Sequence, residues 1–149
     1  MRPVGNTLRA VPRILNPVVH AYERRLTRYG PTAQGVFWKN KEWQFRRYVI
    51  LEGIFDDLAQ AGGITIHDFG CGYGSLFEYL VDKEVMKSSR YTGTDMSQGM
   101  INAAKSRHQD PRAHFVCGVT ARQTADYTIV SGTYNMHMGA EEEEWYEYI

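Results

Sequence analysis

The tightest constraint on what this chain can fold into is one short segment, Asp68-Phe69-Gly70-Cys71-Gly72-Tyr73-Gly74. It follows Ile64-Thr65-Ile66-His67, an apolar run with β-branched residues, and precedes the amphipathic stretch Ser75 to Lys83. A strand that turns into a helix through glycines at alternate positions brings bare backbone close to whatever sits above the turn, because no Cβ stands in the way. The alternation then repeats. Tyr91 to Asp95 reads as a second strand, and Ser97 caps a helix with Met100, Ile101 and Ala104 on its inner stripe, ended by Asp110-Pro111. Ala113 to Cys117 and Tyr127 to Ser131 read as third and fourth strands. Strands alternating with helices predict an α/β fold with a doubly wound, mostly parallel sheet.

Upstream of the sheet the punctuation differs. Pro3, Gly5, Pro12 and Pro17 predict an irregular arm over residues 1–16. Val18, Val19, Tyr22, Leu26 and Tyr29 then form a helical stripe with Arg24, Arg25 and Arg28 on its outer side, stopped by Gly30-Pro31. A loop through Gly35 leads to Phe37 and Trp38. A second helix is expected from about Lys41 to Ala61, with Trp43, Arg47, Ile50, Leu51, Ile54, Phe55 and Leu58 inward and Gly62-Gly63 as its stop. The chain thus divides into an N-terminal arm and helical cap (1–61) and a ligand-binding α/β domain (62–149).

Composition mostly excludes. A chain 43% hydrophobic and 23% charged is ordinary for a soluble globular protein, and a net charge of zero gives no electrostatic reason to expect nucleic acid or a membrane surface as partner. The charge is uneven: residues 1–60 hold ten Lys/Arg against five Asp/Glu, and residues 61–149 hold seven against twelve. This reads as solvated faces, or as a basic layer packed on an acidic remainder; a basic rim around an acidic acceptor is the other reading. Cys71 and Cys117 form no Cys-x-x-Cys pair, which argues against a disulfide framework or a zinc site. Arg2, Arg9 and Arg13 are followed by no apolar signal region, and no run of 18 apolar residues occurs, so a reduced, cytoplasmic protein is expected.

The ligand is read from the turn and from a second acid. A dinucleotide fingerprint would put its third glycine where this chain has Ser75; the spacing here is Gly-x-Gly-x-Gly, with Asp68 two positions before the first glycine. A carboxylate there suits an ammonium group rather than a pyrophosphate, which favours S-adenosyl-L-methionine (SAM) over a nicotinamide cofactor. Roughly 20 residues further on, Asp95 closes the second strand, where a carboxylate can accept both hydroxyls of a ribose. Met96 is placed to pack on an adenine face.

On these residues, together with Met100, Ile101, Ala104 and the strand Asp126 to Ser131, the segment from Ile64 to Asn135 resembles the class I SAM-dependent methyltransferases. The resemblance implies a Rossmann-like sheet. It also implies that Asp68, Phe69, Gly70, Cys71, Gly72, Tyr73 and Gly74 hold the methionine part of the cofactor, with Asp95 on the ribose. Adenine would lie against Met96, Val119 and Thr120, and Ser131 opens the loop where the acceptor meets the methyl group. The segment from Tyr29 to Arg47 is similar to the N-terminal cap of small bacterial methyltransferases, which makes Trp38, Gln44 and Arg47 candidates to close over the cofactor, Arg47 toward its carboxylate. No Asn/Asp-Pro-Pro-Tyr motif follows strand four, which disfavours base amines and glutamine amides without naming another acceptor; a small molecule is the expectation. His137 is the general-base candidate in that loop. The seven-stranded order 3-2-1-4-5-7-6 is not completed before Ile149, which predicts a C-terminally truncated fold whose fourth strand is an open edge available for self-association. The expectation is therefore a methyl-transferring enzyme or its SAM-binding portion; the alternative is a SAM-binding module without catalysis of its own.

Overall fold

The computed structural model describes residues 11–120, 124–133, 136 and 138–148. At its centre, β1 (Thr65–Phe69) lies between β2 (Arg90–Asp95) and β4 (Tyr127–Val130), with β3 (Ala113–Cys117) outside β2, giving the order β3-β2-β1-β4. All three pairings are parallel. Ile66, His67 and Asp68 are buried in succession, as expected for a central parallel strand covered on both faces. β4 pairs only with β1 among the described strands, and its Val130 is half exposed.

Helix α4 (Ser75–Leu80) follows the glycine turn and α5 (Gln98–Arg107) follows β2. Ser97 caps α5 as its sequence predicts, its Oγ accepting the Met100 amide at 3.2 Å, and Met100, Ile101 and Ala104 are buried. The main core joins Ile66, Phe77, Leu80, Tyr91, Ile101 and Phe115. A second cluster joins the two ends of the chain. Trp145 of α6 (Glu142–Tyr148) is buried against Leu15 and Val18 at the start of α1 (Asn16–Tyr29). Helix α1 begins before the expected Val18, because Pro17 stands in its first turn, where a missing N–H costs nothing. Among the described residues no helix is long and apolar enough to cross a membrane.

The expected helix from Lys41 to Ala61 is two helices, α2 (Lys41–Glu52) and the short α3 (Asp57–Gln60), capped separately by Asn40 and Asp56. Its inner stripe is also corrected. Trp43, Ile50, Ile54 and Leu58 are exposed, whereas Gln44 and Tyr48 are buried. Polar partners on and beside α4 decide which face turns inward. Tyr73 donates to Gln44 at 3.0 Å, Lys41 pairs with Glu78 at 2.6 Å, and Glu52 accepts from Tyr79 at 2.5 Å and pairs with Lys83 at 3.0 Å. Arg25 likewise is not turned outward: its guanidinium lies 4.4 Å from the Phe37 ring and 4.6 Å from the Tyr29 ring, and its Nε donates to the Gln34 carbonyl at 2.7 Å.

Candidate functional site

The carboxyl ends of β1, β2 and β4 open into a cavity of about 350 Å³, roofed by α1, α2 and the loop between them. Its floor is the turn after β1. Gly70 stands at φ +85°, and a Cβ there would lie 2.3 Å from Thr133 Oγ1. That hydroxyl donates to the Phe69 carbonyl at 2.8 Å, so the loop after β4 rests directly on the bare turn. Gly72 stands at φ +54° and gives its amide to Asp95 Oδ2 at 2.9 Å.

Asp95, at the end of β2, also accepts the Ser97 amide on Oδ1 at 2.9 Å. The carboxylate is thereby fixed in orientation, and each oxygen keeps a lone pair for a further donor. Burial pushes its carboxyl above the usual carboxylate range, against the pull of the backbone amides that it accepts. Asp68 is 4% exposed. Burial raises its carboxyl to about 7, opposed by the Tyr91 hydroxyl that donates to Oδ2 at 2.5 Å and reinforced by the negative charge of Asp95. A buried carboxylate on a cavity wall with one side-chain donor is matched by a cation entering that cavity.

Of the residues singled out in the sequence, Trp38, Arg47, Asp68, Phe69, Gly70, Cys71, Gly72, Tyr73, Asp95, Met96, Val119 and Ser131 are brought together around this one space. Arg47 and Trp38 face each other on the roof, the guanidinium 5.9 Å from the ring. Gly74 and Thr120 are not among its walls. Gly74 serves packing instead, since a Cβ there would come within 2.7 Å of the His108 ring; Thr120 is exposed. Tyr134, Asn135 and the base candidate His137 lie outside the described residues.

The structure adds walls that sequence reasoning missed. Val19 and Tyr22 come from α1 and Leu15 from the position just before it, and Phe37 joins them with a left-handed φ of 65°, its ring in edge contact with Tyr22 at 5.0 Å. Tyr48 comes from α2 and Met136 from the loop after β4. A positive φ at a bulky residue leaves no trace in the sequence, whereas the buried Tyr48, one turn from Gln44, fits a helical period once Gln44 is known to face inward.

These residues suit a SAM-like ligand. The cavity wall carries the carboxylates of Asp68, which is buried, and Asp95, which is partly exposed, with the Arg47 guanidinium on the roof: acceptors for a ligand's cationic and hydroxyl groups and a donor for a carboxylate. Ser131 Oγ is buried with no hydrogen-bond partner among the described residues and offers one more polar contact.

Comparison with known proteins agrees with the geometry. The family model described as a methyltransferase domain matches residues 66–148. The Mycobacterium tuberculosis protein named "Putative methyltransferase Rv1506c" is 38% identical over 90 residues, which are 60% of this chain and 53% of that protein. The chain therefore spans about half the length of this curated relative. Among solved structures, the cyclopropane synthase MmaA2 from Mycobacterium tuberculosis matches with a TM-score of 0.60 at 14% identity, over 87% of this chain and 49% of that one. YjhP from E. coli matches with a TM-score of 0.50 at 22% identity, over 81% of this chain and 44% of that one. At such identities these two structures speak for a shared fold alone. The family match, by contrast, extends over 83 of 149 residues and includes both acidic strand ends and the turn between β1 and α4, so the chain belongs to the methyltransferase domain family.

Proposed function

We propose that this chain binds S-adenosyl-L-methionine and forms the cofactor-holding part of an enzyme that methylates a small-molecule acceptor. The observation that carries this reading is the convergence of Asp68, the Gly70–Gly72 turn and Asp95 on one cavity, with Arg47 on its roof. When bound there, the cofactor supplies an electrophilic methyl group on a sulfonium.

The chain's own residues do the holding. Asp68 takes the ammonium, and Arg47 takes the carboxylate with Trp38 beside it. The Gly70–Gly72 backbone lies along the methionine part, Asp95 accepts the ribose hydroxyls, and Met96 and Val119 flank the adenine. Methyl transfer depends above all on in-line placement of the two reactants, so the rigidity of the turn matters more than an added base. Tyr22 and Phe37 narrow the remaining space with aromatic surface, which supports an acceptor of small-molecule size with an apolar part. The segment before residue 62 acts as a cap over the cofactor. We place the protein in the cytoplasm and expect any self-association at the β4 edge.

Titration of the purified chain with S-adenosylhomocysteine, beside NADH, tests the reading. S-adenosylhomocysteine is expected to bind with micromolar affinity, Asp95→Ala to lose that binding at least a hundredfold, and NADH not to bind. Binding of NADH in preference, or S-adenosylhomocysteine binding indifferent to Asp95→Ala, would overturn it.

A further inference from the structure

Tyr91 has no place in the cofactor contacts above, yet among the described residues it is the side chain that donates to the Asp68 carboxylate. It is the second residue of β2, opposite Ile66 and 1% exposed, with its ring against Phe77 and Phe115 at centroid distances of 5.1 and 5.9 Å. Those rings fix the phenol, and its hydroxyl meets Asp68 Oδ2 at 2.5 Å from behind the cavity wall. A buried tyrosine that only needed an acceptor would be served as well by a neutral carbonyl. Here the acceptor is an ionisable group that borders the ligand space.

We propose that Tyr91 is a positioning residue for ligand charge: by donating to Oδ2 it favours the charged carboxylate and leaves Oδ1 to receive the ammonium of the ligand's amino-acid end. This deepens the cofactor reading and depends on it. The surroundings of Asp68 make the tyrosine's part decisive. Asp95 from β2 and the turn's Cys71 add no positive charge beside it, Tyr48 approaches from α2 as a neutral phenol, and the flanking strand partners are Gly93 and Ile129. Arg47, on the roof of the same cavity, is the only cationic side chain on its walls among the described residues. With its carboxyl held near 7 by burial, Asp68 is poised so that one lost donor changes its charge at neutral pH.

The test compares two ligands across pH 5.5 to 8.5 by calorimetry. S-adenosylhomocysteine carries the amino-acid end, whereas 5′-methylthioadenosine has the same adenosine and thioether without it. For the wild type, affinity for the first is expected to fall as pH drops and that for the second to stay flat. Tyr91→Phe should weaken S-adenosylhomocysteine at least tenfold at pH 7 and move its acid midpoint upward, because the bond that favours the charged form is gone. Its affinity for 5′-methylthioadenosine should stay within twofold. Asp68→Asn, which keeps an acceptor for the Tyr91 hydroxyl and serves if Tyr91→Phe does not fold, should flatten the pH dependence and reduce the preference for the amino-acid ligand to what Arg47 alone supplies. Equal weakening of both ligands, or an unmoved acid midpoint in a folded Tyr91→Phe, would refute the proposal while leaving the cofactor reading intact. Wild-type protein that binds neither ligand would end both.

Discussion

The turn after β1 and helix α2 face each other across the same cavity, and their sequences relate to their structures in opposite ways. In the turn, each residue type is dictated by its own position. Gly70 and Gly72 sit at backbone angles that other residues resist, and Asp68 is the last of three successive buried residues in β1. In α2 the residue types mislead. Ile50 is 74% exposed and Val49 60%, while Gln44 is 2% exposed. The helix turns its glutamine inward because a tyrosine hydroxyl waits there, and salt links to Glu78 and from Lys83 hold it in that rotation. A turn is specified by covalent geometry, whereas the rotation of a helix is specified by what lies opposite it.

Substitutions probe this contrast directly. The largest effect is expected at Asp68, where the proposed ligand contact opposes stability. Its carboxyl titrates near 7 in the fold against an ordinary 3.8, so between these values the unfolded chain has lost a proton that the folded chain keeps. Stability from this group is therefore full below about pH 4 and is lost as pH rises through 7, at about 1.4 kcal/mol per pH unit. Asp68→Asn should raise the stability of the unliganded protein at pH 8 by roughly 4 kcal/mol and have little effect at pH 4. Urea unfolding at the two pH values measures both; equal effects at the two would remove the argument.

Next comes the turn itself. Gly70→Ala forces a Cβ to 2.3 Å from Thr133 Oγ1 at a φ that side chains resist, and should cost about 2–3 kcal/mol. A thermal melt of Gly70→Ala with and without Thr133→Ala separates the clash from the backbone strain, since the second substitution should recover only the clash. On α2, Gln44→Leu leaves the buried Tyr73 hydroxyl without its acceptor and should cost about 1–3 kcal/mol despite putting an apolar residue on the inner face. A stabilised Gln44→Leu protein would show that the glutamine is tolerated and not required. The smallest effect belongs to the outer face: Ile50→Gln and Val49→Thr should each leave stability within about 0.5 kcal/mol, as checked by chemical denaturation.

Elements whose signals are local were legible in the residues themselves. Three alternate glycines, a strand-end acid and the Ser97 cap suffice to lay out β1, the turn, β2 and α5, because each is set by backbone geometry or by a hydrogen bond a few residues long. The same locality extends to most of the cavity's floor, since Asp68 to Gly72 and Asp95 to Met96 are strand ends that a parallel sheet necessarily gathers on one side. The roof, by contrast, was settled by long-range packing. That α2 would face inward with Gln44 and Tyr48, that Arg25 would fold over Phe37, and that Trp145 would bury itself on Leu15 and Val18 all depend on partners distant in the chain. Apolar periodicity counts one helix's side chains and carries no record of the hydroxyls and charges on the surface it will meet. Tyr91 belongs to both accounts: its sequence marks it as strand core, and only the register of β2 against β1 brings its hydroxyl to Asp68.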